Sequence, residues 1–167
     1  MTTVKKSIRK LNTAIILTCI IGCVVSHYAH YVEIAMEMDN LQAPVCDITK
    51  YISCTKTFSS TYTKGFGLIP QTSIFYVPNS IYGIVFYIIF AILSKSNQYG
   101  ISAFVVALGI CANFGAAYLA YILYKLNNIC LVCVILYFIN AIILLLAVKK
   151  HKKLHRNNGT NKKKKLK

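Results

Sequence analysis

A chain of 167 residues has the length of a single domain. Hydrophobic residues make up 56% of it and tryptophan is absent, which excludes an ordinary soluble globule and points to a membrane protein. The net charge of +15 would suit a nucleic-acid partner, but the lysines gather in tails rather than interleaving with aromatic side chains, so base readout is excluded.

Four apolar segments stand out, at about Leu11–Val32, Pro78–Leu93, Gly100–Tyr124 and Ile129–Val148. A spanning helix needs about 20 apolar residues, with roughly 17 to 25 tolerated, and the second segment sits at the lower limit. The pattern predicts an all-α membrane protein, a four-transmembrane-helix bundle with a long loop, residues 33–77, capping it between the first and second helices. Charge sets its orientation. Lys5, Lys6, Arg9 and Lys10, Lys95 in the turn between the second and third helices, and the lysines and arginine after Val148 all fall on one side. On the other side Lys50, Lys56, Lys64 and Lys125 balance Glu33, Glu37, Asp39 and Asp47. The positive-inside rule then puts both termini in the cytosol and the long loop across the membrane.

The basic start followed by Leu11–Val25 imitates a signal peptide, but the apolar run continues to Val32 and is read as a retained helix. His27 and His30 lie at its far end with no third metal ligand nearby, and are read as interfacial histidines. In the loop, Cys46 and Cys54 are eight residues apart. A continuous helix would hold them about 12 Å from each other, so pairing needs a bend. Three readings stay open at this point: a static loop-closing disulfide, a mobile pair that exchanges partners, and a zinc site shared with Cys130 and Cys133. Phe58, Ser59, Ser60 and Tyr62 then alternate aromatic and small hydroxyl residues, suited to lying in the membrane interface. Pro78-Asn79-Ser80 reads as a helix start with Asn79 as N-cap.

The third helix carries Gly109, Ala112, Asn113, Gly115 and Ala116, small or bonding residues that allow close helix contact. The fourth opens on Cys130-Leu-Val-Cys133, with Tyr137 and Asn140 continuing the same face. Three residues apart on a helix, the two thiols lie within disulfide reach. The helix N-terminus favours thiolate, above all at Cys130. Such a pair at a membrane surface is suited to exchanging electrons with another disulfide or a quinone. Cys19, Cys23 and Cys111, inside spans, are read as small apolar fillers. Residues 149–167 read as a basic, disordered cytosolic tail. In it, Asn158-Gly159-Thr160 is a sequon on the wrong side for glycosylation, and Lys164-Lys165-Leu166-Lys167 has a dilysine retrieval pattern.

With these residues assembled, the chain resembles the vitamin K epoxide reductase family. The likeness is carried by Cys46-Asp-Ile with Ile52-Ser53-Cys54, Phe58-Ser59-Ser60, Gly65-Phe66-Gly67-Leu68, Asn79-Ser80-Ile81-Tyr82-Gly83, Tyr118 to Leu123, and Cys130-Leu-Val-Cys133 with Tyr137 and Asn140, over about Ser26 to Val148. It implies a multi-pass enzyme of the endoplasmic-reticulum membrane with its site at the lumenal end of the bundle. Its substrates would be vitamin K 2,3-epoxide and the quinone, with no tightly bound cofactor and no metal. By the same resemblance Cys133 attacks substrate, Cys130 resolves the adduct, and Cys54 passes electrons to Cys130. Cys46 then receives electrons from a thioredoxin-like lumenal oxidoreductase. Asn79 and Tyr137 match donors to the quinone oxygens, Phe58 matches an aromatic stacking on the ring, and Ser60 lends support. Tyr62 stands where the family commonly has tryptophan, and the lysine-rich tail is not typical of it.

Two rival functions use the same residues: a quinone-linked oxidase driving disulfide formation in lumenal proteins, and a non-catalytic four-helix membrane scaffold with structural disulfides. In either case membrane lipid is the surrounding partner.

Overall fold

The computed structural model describes residues 2–38, 46–47 and 52–165. Asp39 and Lys50 of the charge map, and Leu166 and Lys167 of the terminal lysine signal, lie outside the described residues. Among the described residues, five α-helices account for most of the chain: α1 (Thr2–Glu37), α2 (Cys54–Phe58), α3 (Asn79–Lys95), α4 (Tyr99–Lys125) and α5 (Leu131–Lys165). Two single 3-10 turns, Thr61–Thr63 and Gly65–Gly67, lie between α2 and α3. Among the described residues there is no strand, only two isolated bridges, Ile52 with Ile129 and Lys64 with Pro78.

Among the described residues, three helices are long and apolar enough to cross a membrane, over Lys5–Met36, Tyr99–Lys125 and Leu131–Asn158. The fourth apolar helix, α3, is shorter, at 17 residues. Their outer faces stay apolar: Leu17, Val24, Ile92, Phe104, Phe114, Phe138 and Leu145 are all exposed. In water such a surface would be a liability, and it matches a hydrocarbon solvent instead.

The core is built where the inward faces meet. Ile15 and Cys19 of α1, Tyr87 and Phe90 of α3, Val105 of α4 and Ile139 and Ile143 of α5 form one buried cluster. Gly22 is what lets α1 and α3 approach so closely there, because a Cβ on it would lie 2.6 Å from the Tyr87 ring. A second cluster gathers Ala29, Cys46, Cys54, Leu123, Cys130 and Val132 at the other end of α5's inner face.

Helix ends depart from the sequence reading in three places. α1 begins at Thr2 rather than near Leu11, since the basic residues before the span carry no helix breaker. The tail expected to be disordered from residue 149 is instead helix to Lys165. Tertiary contacts hold it. The Lys150 Nζ donates to the carbonyls of Ser94 (2.6 Å) and Ser96 (2.7 Å) at the end of α3, Lys153 donates to the Ser7 hydroxyl, and Leu154 and Ile8 are both buried. Lastly, Asn79 is not the N-cap of α3. Pro78 holds that position, and the Asn79 side chain turns back into the preceding loop.

Candidate active site

The site begins with a two-part cap on α2. One Asp47 carboxylate oxygen accepts the N–H groups of Cys54 (2.6 Å) and Thr55 (3.1 Å), and the other accepts the Thr55 hydroxyl. Ser53 Oγ accepts the Lys56 N–H at 3.2 Å. These bonds satisfy orphan donors of the first turn. They hold the Asp47 carboxyl below its ordinary range: burial pushes it up, but the hydrogen bonds, led by the Thr55 hydroxyl, win. At the start of α2, Cys54 is joined to Cys46 in a disulfide with Cα atoms 5.7 Å apart. Cys46, Asp47 and Cys54 cluster tightly enough to hold a metal, but the bonded sulfurs offer no thiolate to one.

A second set of bonds brings α2 to the start of α5. The Ser53 N–H donates to the Ile129 carbonyl at 3.1 Å. Buried Asn128 donates to the Ser53 carbonyl (2.6 Å) and to Thr57 Oγ1 (2.8 Å). The result is that Cys130 Sγ lies 3.8 Å from Cys54 Sγ, in van der Waals contact across 76 residues of chain, with both sulfurs fully buried. Cys130 stands in the turn just before α5. The Cys133 N–H donates to its sulfur at 3.4 Å. The Cys133 side chain above all, with the N–H groups of Cys133 and Val132 and the nearby Thr57 hydroxyl, holds the thiol below its ordinary range against burial. This agrees with the helix-terminus argument from sequence.

Beside Cys133, and not reached by Cys130, lies a cavity of about 380 Å³. That volume falls among small-molecule sites, which run to roughly 300–1,000 Å³. Phe58 and Ser60 line it from the loop, Asn79 and Tyr82 from α3, Leu119 and Leu123 from α4, and Cys133 and Tyr137 from α5. At its inner end the Tyr87 hydroxyl donates to Asn140 Oδ1 (2.9 Å) and Asn113 donates to the Asn140 carbonyl (3.1 Å), tying three helices together. Two lining hydroxyls, Tyr137 OH and Ser26 Oγ, are buried without a hydrogen-bond partner among the described residues. A buried donor left unmade costs about 1–3 kcal/mol, so such groups in a cavity invite a ligand acceptor.

The vitamin K epoxide reductase family model matches residues 13–148. The chain belongs to that family. It is 34% identical over 137 residues to vitamin K epoxide reductase complex subunit 1 of Rattus norvegicus, covering 79% of this chain and 85% of the relative. The Mus musculus protein of the same name matches to the same extent.

Within this member of the vitamin K epoxide reductase family, the structure gathers all eight residues singled out from sequence at one end of the bundle. Cys133, Phe58, Ser60, Asn79 and Tyr137 line the cavity, and Cys46, Cys54 and Cys130 form the buried sulfur chain behind it. Two have built-in duties as well. The Asn79 amide donates to the Tyr62 carbonyl (2.8 Å) and its oxygen accepts the Phe66 N–H (2.9 Å), holding Phe66 at a φ of 57°. Ser60 Oγ donates to the Thr57 carbonyl at 2.7 Å. Cys111, read as a filler, is exposed on α4 and borders the cavity. Sequence reasoning missed Thr57 and Asn128, whose importance lies in contacts between distant segments; only the polar Asn127-Asn128 pair before the cysteines hinted at one of them.

Proposed function

We propose that this protein is a membrane dithiol oxidoreductase that reduces vitamin K 2,3-epoxide to the quinone and the quinone to the hydroquinone. The observation that carries the reading is the sulfur chain ending at a cavity: a Cys46–Cys54 bridge, Cys54 at 3.8 Å from Cys130, and Cys133 on the cavity wall. An apolar prenylated quinone arrives from lipid and its reductant from water, so thiols must join the two phases.

In the proposed cycle Cys133 attacks a ring carbon of the epoxide, the C–O bond opens, and Tyr137 gives a proton to the developing alkoxide. Cys130 then attacks the Cys133 sulfur. The carbon–sulfur electron pair returns to the ring and expels the hydroxyl as water, leaving the quinone and a Cys130–Cys133 disulfide. Two thiols are oxidised and the epoxide gains two electrons. Phe58 packs on the ring, Asn79 and Tyr137 hydrogen-bond its oxygens, and Ser60 supports the loop. Cys54, as thiol, reopens the bridge at Cys130, and Cys46 receives electrons from a thioredoxin-like partner. No tightly bound cofactor takes part.

In this reading α1, α3, α4 and α5 make four spans of the endoplasmic-reticulum membrane. Both termini are cytosolic, and the loop between α1 and α3 is lumenal, as the distribution of lysine and arginine favours. The test is Cys133→Ala in microsomes supplied with a membrane-permeant dithiol. Epoxide turnover should fall to background while membrane insertion stays normal; full activity in that variant would defeat the assignment.

A further inference from the structure

We propose that His30, Ser80 and Glu33 form a proton path into the substrate cavity, with the Ser80 hydroxyl delivering the proton to a substrate oxygen. The proposal rests on the quinone-reducing function above. Glu33 is a carboxylate only 3% exposed in the upper part of a membrane-crossing helix. An ionisable group in that setting is expensive to keep, and such groups commonly mark proton routes. Three residues before it on the same face of α1 stands half-buried His30. Ser80 of α3 meets both. Its Oγ donates to Glu33 Oε2 at 3.0 Å and lies 3.2 Å from His30 Nδ1, which donates to it when that nitrogen carries the proton. Of the three, Ser80 alone lines the cavity, next in sequence to Asn79.

The chemistry requires such a path. Reduction of a quinone takes two electrons and two protons. A dithiol supplies both protons only if both sulfurs enter protonated, and the bonds around Cys130 favour its thiolate. The balanced step is then Cys133 thiol, Cys130 thiolate, quinone and one further proton giving disulfide and hydroquinone. Tyr137 can donate once, but among the described residues its buried hydroxyl has no hydrogen-bond partner to reload it. Ser80 hands its proton to the quinone oxygen and takes another from His30 Nδ1 or from the Glu33 carboxyl. Water at the outer end of α1 restores it.

The experiment uses the full chain in lipid nanodiscs, a vitamin K quinone and a small permeant dithiol, with rates measured in H₂O and D₂O. Ser80→Ala should lower kcat at least about tenfold. It should leave KM within about twofold and raise the solvent isotope effect, as expected when a proton transfer alone is slowed. Ser80→Thr, which keeps the hydroxyl, should recover most of the rate. Glu33→Gln with His30→Gln together should match Ser80→Ala. A kcat unchanged in Ser80→Ala, or an equal loss in Ser80→Thr, would overturn the path. Because Ser80→Ala could disturb packing, formation of the Cys130–Cys133 disulfide by ferricyanide, an electron-only oxidant that takes up no protons, is followed in parallel. A normal rate is expected, and a slowed one means a structural role and also overturns the path. If the wild-type chain fails to reduce quinone at all, the reading of the site falls and takes the path with it. Wild-type turnover with an indifferent Ser80→Ala sinks the path alone.

Discussion

Two cysteine pairs in this molecule stand about one helical turn apart in sequence, and only one of them has the surroundings for redox chemistry. Cys19 and Cys23 sit four residues apart in α1. Cys19 is 1% exposed among Ile15, Tyr87 and Phe90, and Cys23, packed beside that core, donates to the Ile84 carbonyl at 3.8 Å. Cys130 and Cys133, three apart, have backbone amides, the Thr57 hydroxyl, a third sulfur and a cavity around them. Spacing alone therefore does not make a redox pair. Donors that stabilise thiolate, and a second sulfur in line, separate the two.

The sharpest way to break that comparison is to remove one sulfur from each setting. Cys54→Ala should abolish epoxide turnover driven by a thioredoxin-like protein yet retain activity with a permeant dithiol, whereas Cys19→Ala should leave both rates near wild type. Equal loss with either reductant in Cys54→Ala would make the loop sulfurs structural, and a dead Cys19→Ala would erase the distinction. A smaller effect is expected at the cavity wall. Tyr137→Phe should lower kcat about 100-fold, the usual scale for losing one donor to a developing oxyanion. Because the hydroxyl has no hydrogen-bond partner among the described residues, the melting temperature should hold steady or rise. A drop in melting temperature with normal kcat would reverse the reading.

The smallest effect concerns the cap. Asp47→Ala should cost about 1 kcal/mol at the start of α2. It should slow Cys54–Cys130 exchange, read by trapping the mixed disulfide, while Asp47→Asn keeps an acceptor and loses less. The pH dependence follows from the lowered Asp47 pKa: the folded value lies below the ordinary 3.8. Its stabilisation is thus fully present above that ordinary value and is lost as pH falls through the lower one. Amide exchange at Cys54 should stay protected across the neutral range and weaken only in acid.

Much of this site was legible because its signals are local. The Cys130-Leu-Val-Cys133 run at a helix start, Tyr137 one turn on, and the apolar lengths of the spans all follow from short-range periodicity. What escaped depends on contacts between segments far apart in sequence. Asn128 reaches Ser53 and Thr57, partners more than 70 residues away that its own neighbourhood does not name. Asn79 looked like a helix cap because Asn is a good one, but the Tyr62 and Phe66 backbone groups claim its amide. The tail looked disordered by charge alone; packing of Leu154 and the bonds of Lys150 override composition.

The brevity of α3 has a consequence for how substrate and water divide the site. Its 17 residues rise only about 25 Å, against roughly 30 Å of hydrocarbon. In the four-span arrangement the bilayer must pinch beside it, or the loop leading into it must sink. Ile74 and Phe75, exposed just ahead of it, are the wedge that such sinking would embed among the acyl chains. If the protein acts on a quinone as proposed, a dimpled leaflet there would let a greasy ring climb to the level of the sulfurs without ever leaving oil.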